Sequence, residues 1–184
     1  MKEKKEHGSM KEQQKQRVLL FVAFFLPLLT GSLLRFWDIG LRPFHSDEGV
    51  NSFFVLNLFN RNYYHYDPAN YHGPFLYYIG LIPFYILGIS DFAFRLMPVL
   101  FGIMVVTLLY PLRKRLGTMG LLTAGLLTAF SPANSFFSRD TIHEIYLVFF
   151  SLAIVVSFFL YSDTKKSRYI YFAAASIAFV VTIK

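Results

Sequence analysis

The sequence contains no cysteine, and this absence removes several kinds of chemistry at once. Its 184 residues provide no disulfide framework, no thiol nucleophile and no thiolate ligand for a metal ion. Charged residues are also scarce, at 16% of the chain. The sequence shows no internal repeat and no stretch with the composition of a soluble domain, so repeat architectures are excluded and little room remains for a soluble fold.

Apolar and aromatic residues are abundant instead. Hydrophobic residues make up 55% of the chain, and 22 Phe and 12 Tyr suit lipid-facing and interfacial helices better than a soluble core of this size. The net charge of +7 comes from basic residues clustered beside apolar runs, which indicates membrane topology rather than nucleic-acid binding. We therefore predict an all-α, polytopic membrane protein whose main partner is the lipid bilayer.

The apolar runs predict about five transmembrane helices. Residues 1–17 are polar and basic, and we expect them to form a solvated, disordered cytoplasmic tail. Residues 18–184 form the membrane-embedded module. Its predicted spans are 18–34, 91–112, 118–134, 142–161 and 169–184. The chain stops inside the last apolar run, so it either ends within that span or is the N-terminal part of a longer protein.

The charge distribution predicts which loops face the cytoplasm. The run 75–89 is apolar but shorter than the roughly 20 residues that a span requires. If it lies on the outer surface, 12 Lys and Arg residues fall inside and 5 outside; if it spans, the numbers become 8 and 9. Because basic residues prefer the cytoplasmic side, the first arrangement is favoured. The N-terminus is then cytoplasmic, and seven acidic residues lie on the outer face.

The first outer loop, 35–90, is long and is expected to carry two surface helices, roughly 46–60 and 74–88. Between them, residues 62–74 are rich in Tyr, Asn, Asp and His. Such a stretch is typical of a membrane-interface belt and equally suits stacking against sugars. We predict that Tyr71 and His72, at its end, contact the substrate.

The segment 42–49 in this loop carries two adjacent carboxylates, Asp47 and Glu48. Ser46 is expected to cap a helix whose first turn contains both acids, where the positive helix end favours anions. In helical projection the two acids lie on one face and Val50 and Phe53 on the other, which predicts apolar residues toward the membrane and carboxylates toward water. The acids are either catalytic or simply stabilise the start of an interfacial helix.

Two arginines and one further acid are predicted to lie at the same outer boundary. Arg95, one turn into the second span, either pairs with Asp91 or binds an anion. Arg139 and Glu144 lie close to the N-terminal end of the fourth span, which itself favours anions. They either cap that helix or belong to a site.

Together these residues fit one class of reaction. A carboxylate can take the proton of an acceptor hydroxyl that attacks an anomeric carbon, while guanidinium groups stabilise a departing lipid phosphate. The implied donor and partner is a sugar on a polyprenyl phosphate, because a nucleotide-sugar donor would require a soluble nucleotide-binding domain.

The order of these motifs resembles that of membrane glycosyltransferases with the GT-C fold, including protein O-mannosyltransferases and aminoarabinose transferases. The run 72–78 is most similar to a branch of archaeal and bacterial membrane proteins described as flippase-activity-associated. The resemblance extends through the chain after residue 17. Its motifs are Asp47-Glu48, His72-Gly73-Pro74, Phe94-Arg95-Leu96-Met97-Pro98, and Ser138-Arg139 followed by Glu144.

The resemblance implies a role for each of these residues. Asp47 would be the general base, with Glu48 beside it, and Arg95 and Arg139 would contact the donor phosphate. Glu144 stands where the family more usually has Asp, which keeps the charge but moves it by one methylene. Family members also continue with further spans, so further membrane subunits or a C-terminal part are expected partners.

Two other functions and a metal cofactor come into question. A non-catalytic membrane protein could assist translocation or assembly of lipid-linked sugars through the same contacts. A transporter or channel is disfavoured because no ionisable group lies in the middle of a span. A divalent cation is left open as a cofactor, since four histidines lie near the acids, but no zinc signature is present and no metal ligands are assigned.

Overall fold

The computed structural model describes residues 2–61, 63–64, 66–68 and 72–183, and within these ranges the chain forms helices and connecting loops with no strand. The prediction of an all-helical membrane protein is confirmed. The helices are α1 Lys2–Phe36, α2 Ser46–Arg61, α3 Phe75–Leu87, α4 Asp91–Thr107, α5 Arg113–Phe130, α6 Pro132–Phe137, α7 Glu144–Thr164 and α8 Arg168–Ile183, with a 3-10 turn at Tyr110–Leu112 between α4 and α5.

The N-terminal segment is helical, so the prediction of a disordered tail over residues 1–17 is wrong. Helix α1 begins at Lys2 and continues without a break through the first apolar run to Phe36. Lys, Glu, Gln and Met, which dominate this segment, are good helix formers. Because the segment extends an existing helix, it avoids the unfavourable nucleation step that an isolated helix would face.

Three helical stretches are long and apolar enough to cross a membrane: Met10–Phe36, Asp91–Phe130 and Glu144–Thr164. The second is broken at Gly117, whose positive φ of 67° is not helical. Helix α5 also ends at Phe130, before the predicted end of the third span, because Ser131 caps and Pro132 starts the short helix α6. The helices Phe75–Leu87 and Arg168–Ile183 are apolar but shorter. The assignment of the individual spans therefore stays a prediction.

Small residues allow α1 to pack closely against its neighbours. A side chain at Gly125 of α5 would meet the Pro27 ring of α1, and one at Gly31 would meet Ala129. Helix α7 packs against α8 and α4, and α4 also contacts α3. Around Phe101 of α4, the rings of α3 and α7 form an edge-to-face aromatic cluster that joins the helices beneath the outer loop.

The predicted surface helices correspond to α2 and α3, but the orientation predicted for Glu48 is wrong. Val50 and Phe53 are exposed, whereas Glu48 is completely buried and Asn51 nearly so. The physical reason is a buried partner contributed by α4, because a carboxylate removed from water requires a compensating charge and hydrogen bonds. Glu48 and Asn51, which were expected to face water, thus attach the helix to the bundle, while Asp47 on the same predicted face is exposed.

Candidate active site

A buried ion pair between Glu48 and Arg95 forms the base of the site. Arg95 Nε donates to Glu48 Oε1 at 2.7 Å, and Nη2 donates to Oε2 at 2.8 Å. Nη1 donates to the carbonyl oxygens of Ile39 and Arg42, and Nη2 also donates to that of Pro43. These contacts use all five N–H groups of the guanidinium. Arg95 is therefore fully hydrogen-bonded within the protein, and it pairs with Glu48 rather than with Asp91.

Glu48 also connects segments that are distant in sequence. Its Oε1 accepts from the Thr141 N–H at 3.3 Å, and Thr141 Oγ1 donates to the Phe94 carbonyl of α4. The Asn51 side chain donates to the Thr141 carbonyl at 2.8 Å. The beginning of α2, helix α4 and the segment before α7 are thus joined through one carboxylate.

The cap of α2 is formed by His45 rather than by Ser46 as predicted. His45 Nδ1 accepts from the Asp47 N–H at 3.4 Å, and Glu48 Oε2 accepts from the His45 N–H at 3.3 Å. This is the reciprocal pattern of a capping box, with an imidazole in place of the usual hydroxyl. The cap fixes the direction of the helix start and therefore of the two acids.

Asp47 differs sharply from its neighbour. Its side chain is 68% exposed, and it lines a cleft of about 150 Å³. The remaining lining residues come from α2, the loop before α3, and the start of α7. They are Val50, Asn51, His72, Ile142, His143 and Glu144. Three of the predicted site residues, Asp47, His72 and Glu144, therefore meet in one cleft.

Two histidines and a glutamate form part of the cleft wall. The rings of His72 and His143 lie against each other with centroids 3.8 Å apart. Oε2 of Glu144 is buried and accepts no hydrogen bond from any residue that the structure describes. The Gly73 N–H donates to the Ile183 carbonyl at 3.2 Å, which holds the His72 loop against the end of α8. Tyr71, which we predicted beside His72, lies outside the described residues.

Arg139 lies on the rim of the site and does not line the cleft. Its Nη2 donates to the Trp37 carbonyl, and its own carbonyl accepts from Arg42 Nη2 at 3.2 Å. Arg42 also forms an ion pair with the buried Asp140. The pKa of Arg42 lies below its ordinary value, mainly because the side chain is partly buried. The negative charge of Glu48 raises this pKa, and the positive charges of Arg95 and Arg139 lower it. Arg42 and Arg95 thus surround the buried Glu48, and Arg139 lies beside Arg42, so three guanidinium groups lie close together here.

The sequence interpretation missed several residues of this network. Arg42 had been counted only for topology, and Asn51, Asp140 and Thr141 had received no role in binding. His143 had been considered only as one of four histidines that could ligate a divalent cation. Asn51 could have been suspected because it lies one turn after Asp47 on α2. Nothing local marks Arg42, Asp140 or Thr141, because their partners are distant in sequence.

The described part of the chain contains no group of three His, Asp or Glu side chains arranged to hold a metal ion. The acids and histidines of the cleft do not converge on one point, and Glu48 is already bonded to Arg95. No metal ligand is assigned.

These features define a class: a helical membrane protein with an acidic cleft and an arginine-rich rim at one end of its bundle. A family model described as dolichyl-phosphate-mannose-protein mannosyltransferase matches residues 71–184, more than half of the chain. The chain belongs to this family and is a membrane glycosyltransferase of the GT-C type. Comparisons with curated proteins and with solved structures found no match. The matched range includes Arg95, Arg139 and Glu144 but begins after Asp47 and Glu48.

Proposed function

We propose that this protein transfers a sugar from a polyprenyl-phosphate-linked donor to an acceptor hydroxyl on the outer face of the membrane. Asp47 acts as the general base. The observation that carries the proposal is the contrast within the acidic pair: Glu48 is fully buried against Arg95, while Asp47 is exposed to the cleft. A base must reach the proton that it abstracts, so only Asp47 is available to the acceptor.

In the proposed step, the acceptor oxygen forms a bond to the anomeric carbon as the bond from that carbon to the phosphate oxygen breaks. The acceptor proton passes to Asp47, and the electron pair of the broken bond leaves with the polyprenyl phosphate. Arg139 on the rim, with Arg42 beside it, supplies the positive charge that stabilises the leaving phosphate. His72 and Glu144 contact the sugar from the cleft wall.

The sequence interpretation assigned Arg95 to the phosphate together with Arg139. All five N–H groups of Arg95 are already bonded, so we give it a positioning role. Through Glu48 it holds the start of α2, and therefore Asp47, in place. Glu48 acts in the same way, as a positioning residue.

The proposal is tested by Asp47→Asn in the complete protein in membranes, with donor binding and transfer measured separately. We expect transfer to fall by about 100-fold or more while donor binding persists, since only the proton acceptor is lost. Asp91→Asn is the matched control, because Asp91 is also an exposed acid in the first turn of a helix. Its activity should equal that of the unmodified protein.

A non-catalytic role in moving or assembling lipid-linked sugars predicts a different result. Asp47→Asn would then leave function intact, and Arg139→Ala would impair it by weakening the hold on the phosphate. Equal transfer by Asp47→Asn and the unmodified protein would rule out Asp47 as the base.

A further inference from the structure

A second cavity lies at the opposite end of α2 from Asp47. It measures about 410 Å³, within the range of small-molecule sites. Its walls combine aromatic rings with planar polar side chains. They include Asn57, Arg61, Tyr63, Tyr64, Tyr66 and Asp67.

The tyrosines of this cavity are arranged for stacking. Tyr64 is held in place because its hydroxyl donates to the His72 carbonyl at 3.0 Å and its ring stacks on Tyr77. Burial raises the pKa of Tyr64, as do the neighbouring Tyr66 and Asp67. Tyr63 and Tyr66, in contrast, are 59% and 54% exposed. One ring is thus fixed while two others present apolar surface at the mouth of the cavity.

The polar groups indicate what the cavity binds. Asn57 and Arg61 lie one turn apart on α2, and carboxylate, amide and guanidinium groups can each bond two adjacent hydroxyls. The groove between α3 and α8, about 380 Å³ and lined by residues such as Ile79, Ile82 and Phe179, is nearly all apolar and suits a hydrocarbon chain. A mixed aromatic and polar cavity suits a sugar ring, which has apolar C–H faces and hydroxyl edges.

The two cavities share one face of α2. Asp47, Val50, Phe54, Asn57 and Arg61 follow at intervals of three and four residues, so they form a single stripe along the helix. Val50 and Arg61 on this stripe are exposed. At a rise of about 1.5 Å per residue, Asp47 and Arg61 are roughly 20 Å apart along the axis. The sugar being transferred therefore cannot occupy both the Asp47 cleft and the second cavity.

The geometry points to a binding site for an acceptor glycan, with one sugar unit between Tyr63 and Tyr66 and the chain extending along α2 toward Asp47. The choice of ligand rests on the proposed glycosyl transfer. The acceptor is then an oligosaccharide or a molecule that carries one, rather than a single sugar.

The test is binding of mannotriose, compared with methyl mannoside, to the complete protein in nanodiscs by saturation-transfer NMR. We expect the trisaccharide to bind more tightly than the monosaccharide, and Tyr63→Ala and Tyr66→Ala each to weaken it by about tenfold. Tyr63→Phe and Tyr66→Phe keep the rings and should retain most of the affinity, which separates stacking from general damage to the fold. Tyr85→Ala is the matched control, because Tyr85 is an exposed aromatic residue of α3 outside the cavity.

The inference and the proposed function fail in different ways. Full transfer by Asp47→Asn would overturn the base assignment and leave the glycan site standing. Equal binding of the two sugars, or equal loss of affinity in Tyr85→Ala and Tyr63→Ala, would overturn the glycan site.

Discussion

At the scale of single residues, Arg95 and Glu48 show how a charge can be buried at one end of a membrane bundle. Neither side chain contacts solvent. Together they form hydrogen bonds with backbone groups of the 39–45 loop, such as the Ile39 carbonyl, and with the Thr141 N–H. Removing two ions from water is costly, and here five hydrogen bonds from one guanidinium offset that cost. The face of Phe44, 4.9 Å from the guanidinium carbon, adds a cation–π contact.

We predict that removing one partner of this ion pair destabilises the protein much more than replacing both partners. Arg95→Met should lower the free energy of unfolding by about 3–5 kcal/mol, because it leaves the Glu48 carboxylate buried and unpaired. The double variant Arg95→Met with Glu48→Met should recover much of this loss. Stability in detergent, followed by thermal denaturation, measures both.

The exposed pair Arg115–Asp163 provides the control, with side chains that are each about two-fifths exposed. Arg115→Met should leave stability almost unchanged, because exposed ion pairs contribute little. A double variant of Arg95 and Glu48 that is as unstable as Arg95→Met would mean that the buried pair contributes through packing instead of charge compensation.

At the scale of helices, the C-terminal end of α1 holds the segment that carries Arg139. Arg35 is fully buried and donates to Ser138 Oγ at 3.1 Å and to the carbonyl oxygens of Gly31 and Ala129. Gly102 of α4 makes room for this contact: a side chain there would lie 2.8 Å from Arg35 Nε and also collide with Ser138. Arg35 therefore positions the turn between α6 and α7, although it lies far from that turn in sequence.

Gly102→Ala should therefore disturb the site, although Gly102 is not one of the residues that line it. We expect the added methyl group to displace Ser138 and Arg139 and to destabilise the protein by about 1–3 kcal/mol, as overpacking does. The KM for the donor should rise as Arg139 moves. Gly49→Ala is the matched control, because nothing lies within 4 Å of its added Cβ. If both variants behave alike, the turn is not held in this way.

The helices themselves could largely be predicted from the sequence, whereas their side-chain partners could not. Apolar runs and the acidic start of α2 are local signals, and the corresponding helices are present. The Glu48–Arg95 pair joins residues 47 positions apart, and Arg35 reaches Ser138 across 103 positions. Charge patterning predicted that Glu48 faces water, because a helical projection contains no information about the side chains that α4 places against α2.

At the scale of the whole molecule, the candidate site lies at one end of a bundle whose other surfaces are largely apolar. Exposed Phe, Leu, Ile and Val side chains cover α1, α7 and α8, as lipid-facing helices require. Asp47, the arginine rim and the Tyr63–Tyr66 cavity all belong to the loops and helix ends on the side that charge patterning assigns to the exterior. Transfer to an outer acceptor requires that this assignment holds.

Because the chain has no cysteine, any introduced cysteine is its sole thiol. The most direct test places one at Val50, which is exposed and lines the Asp47 cleft, and labels intact cells with a membrane-impermeant maleimide. Val50→Cys should react from outside, and Ser167→Cys, exposed between α7 and α8, should react only after the cells are opened. Labelling of Val50→Cys only in opened cells would place the cleft in the cytoplasm and contradict transfer on the outer face.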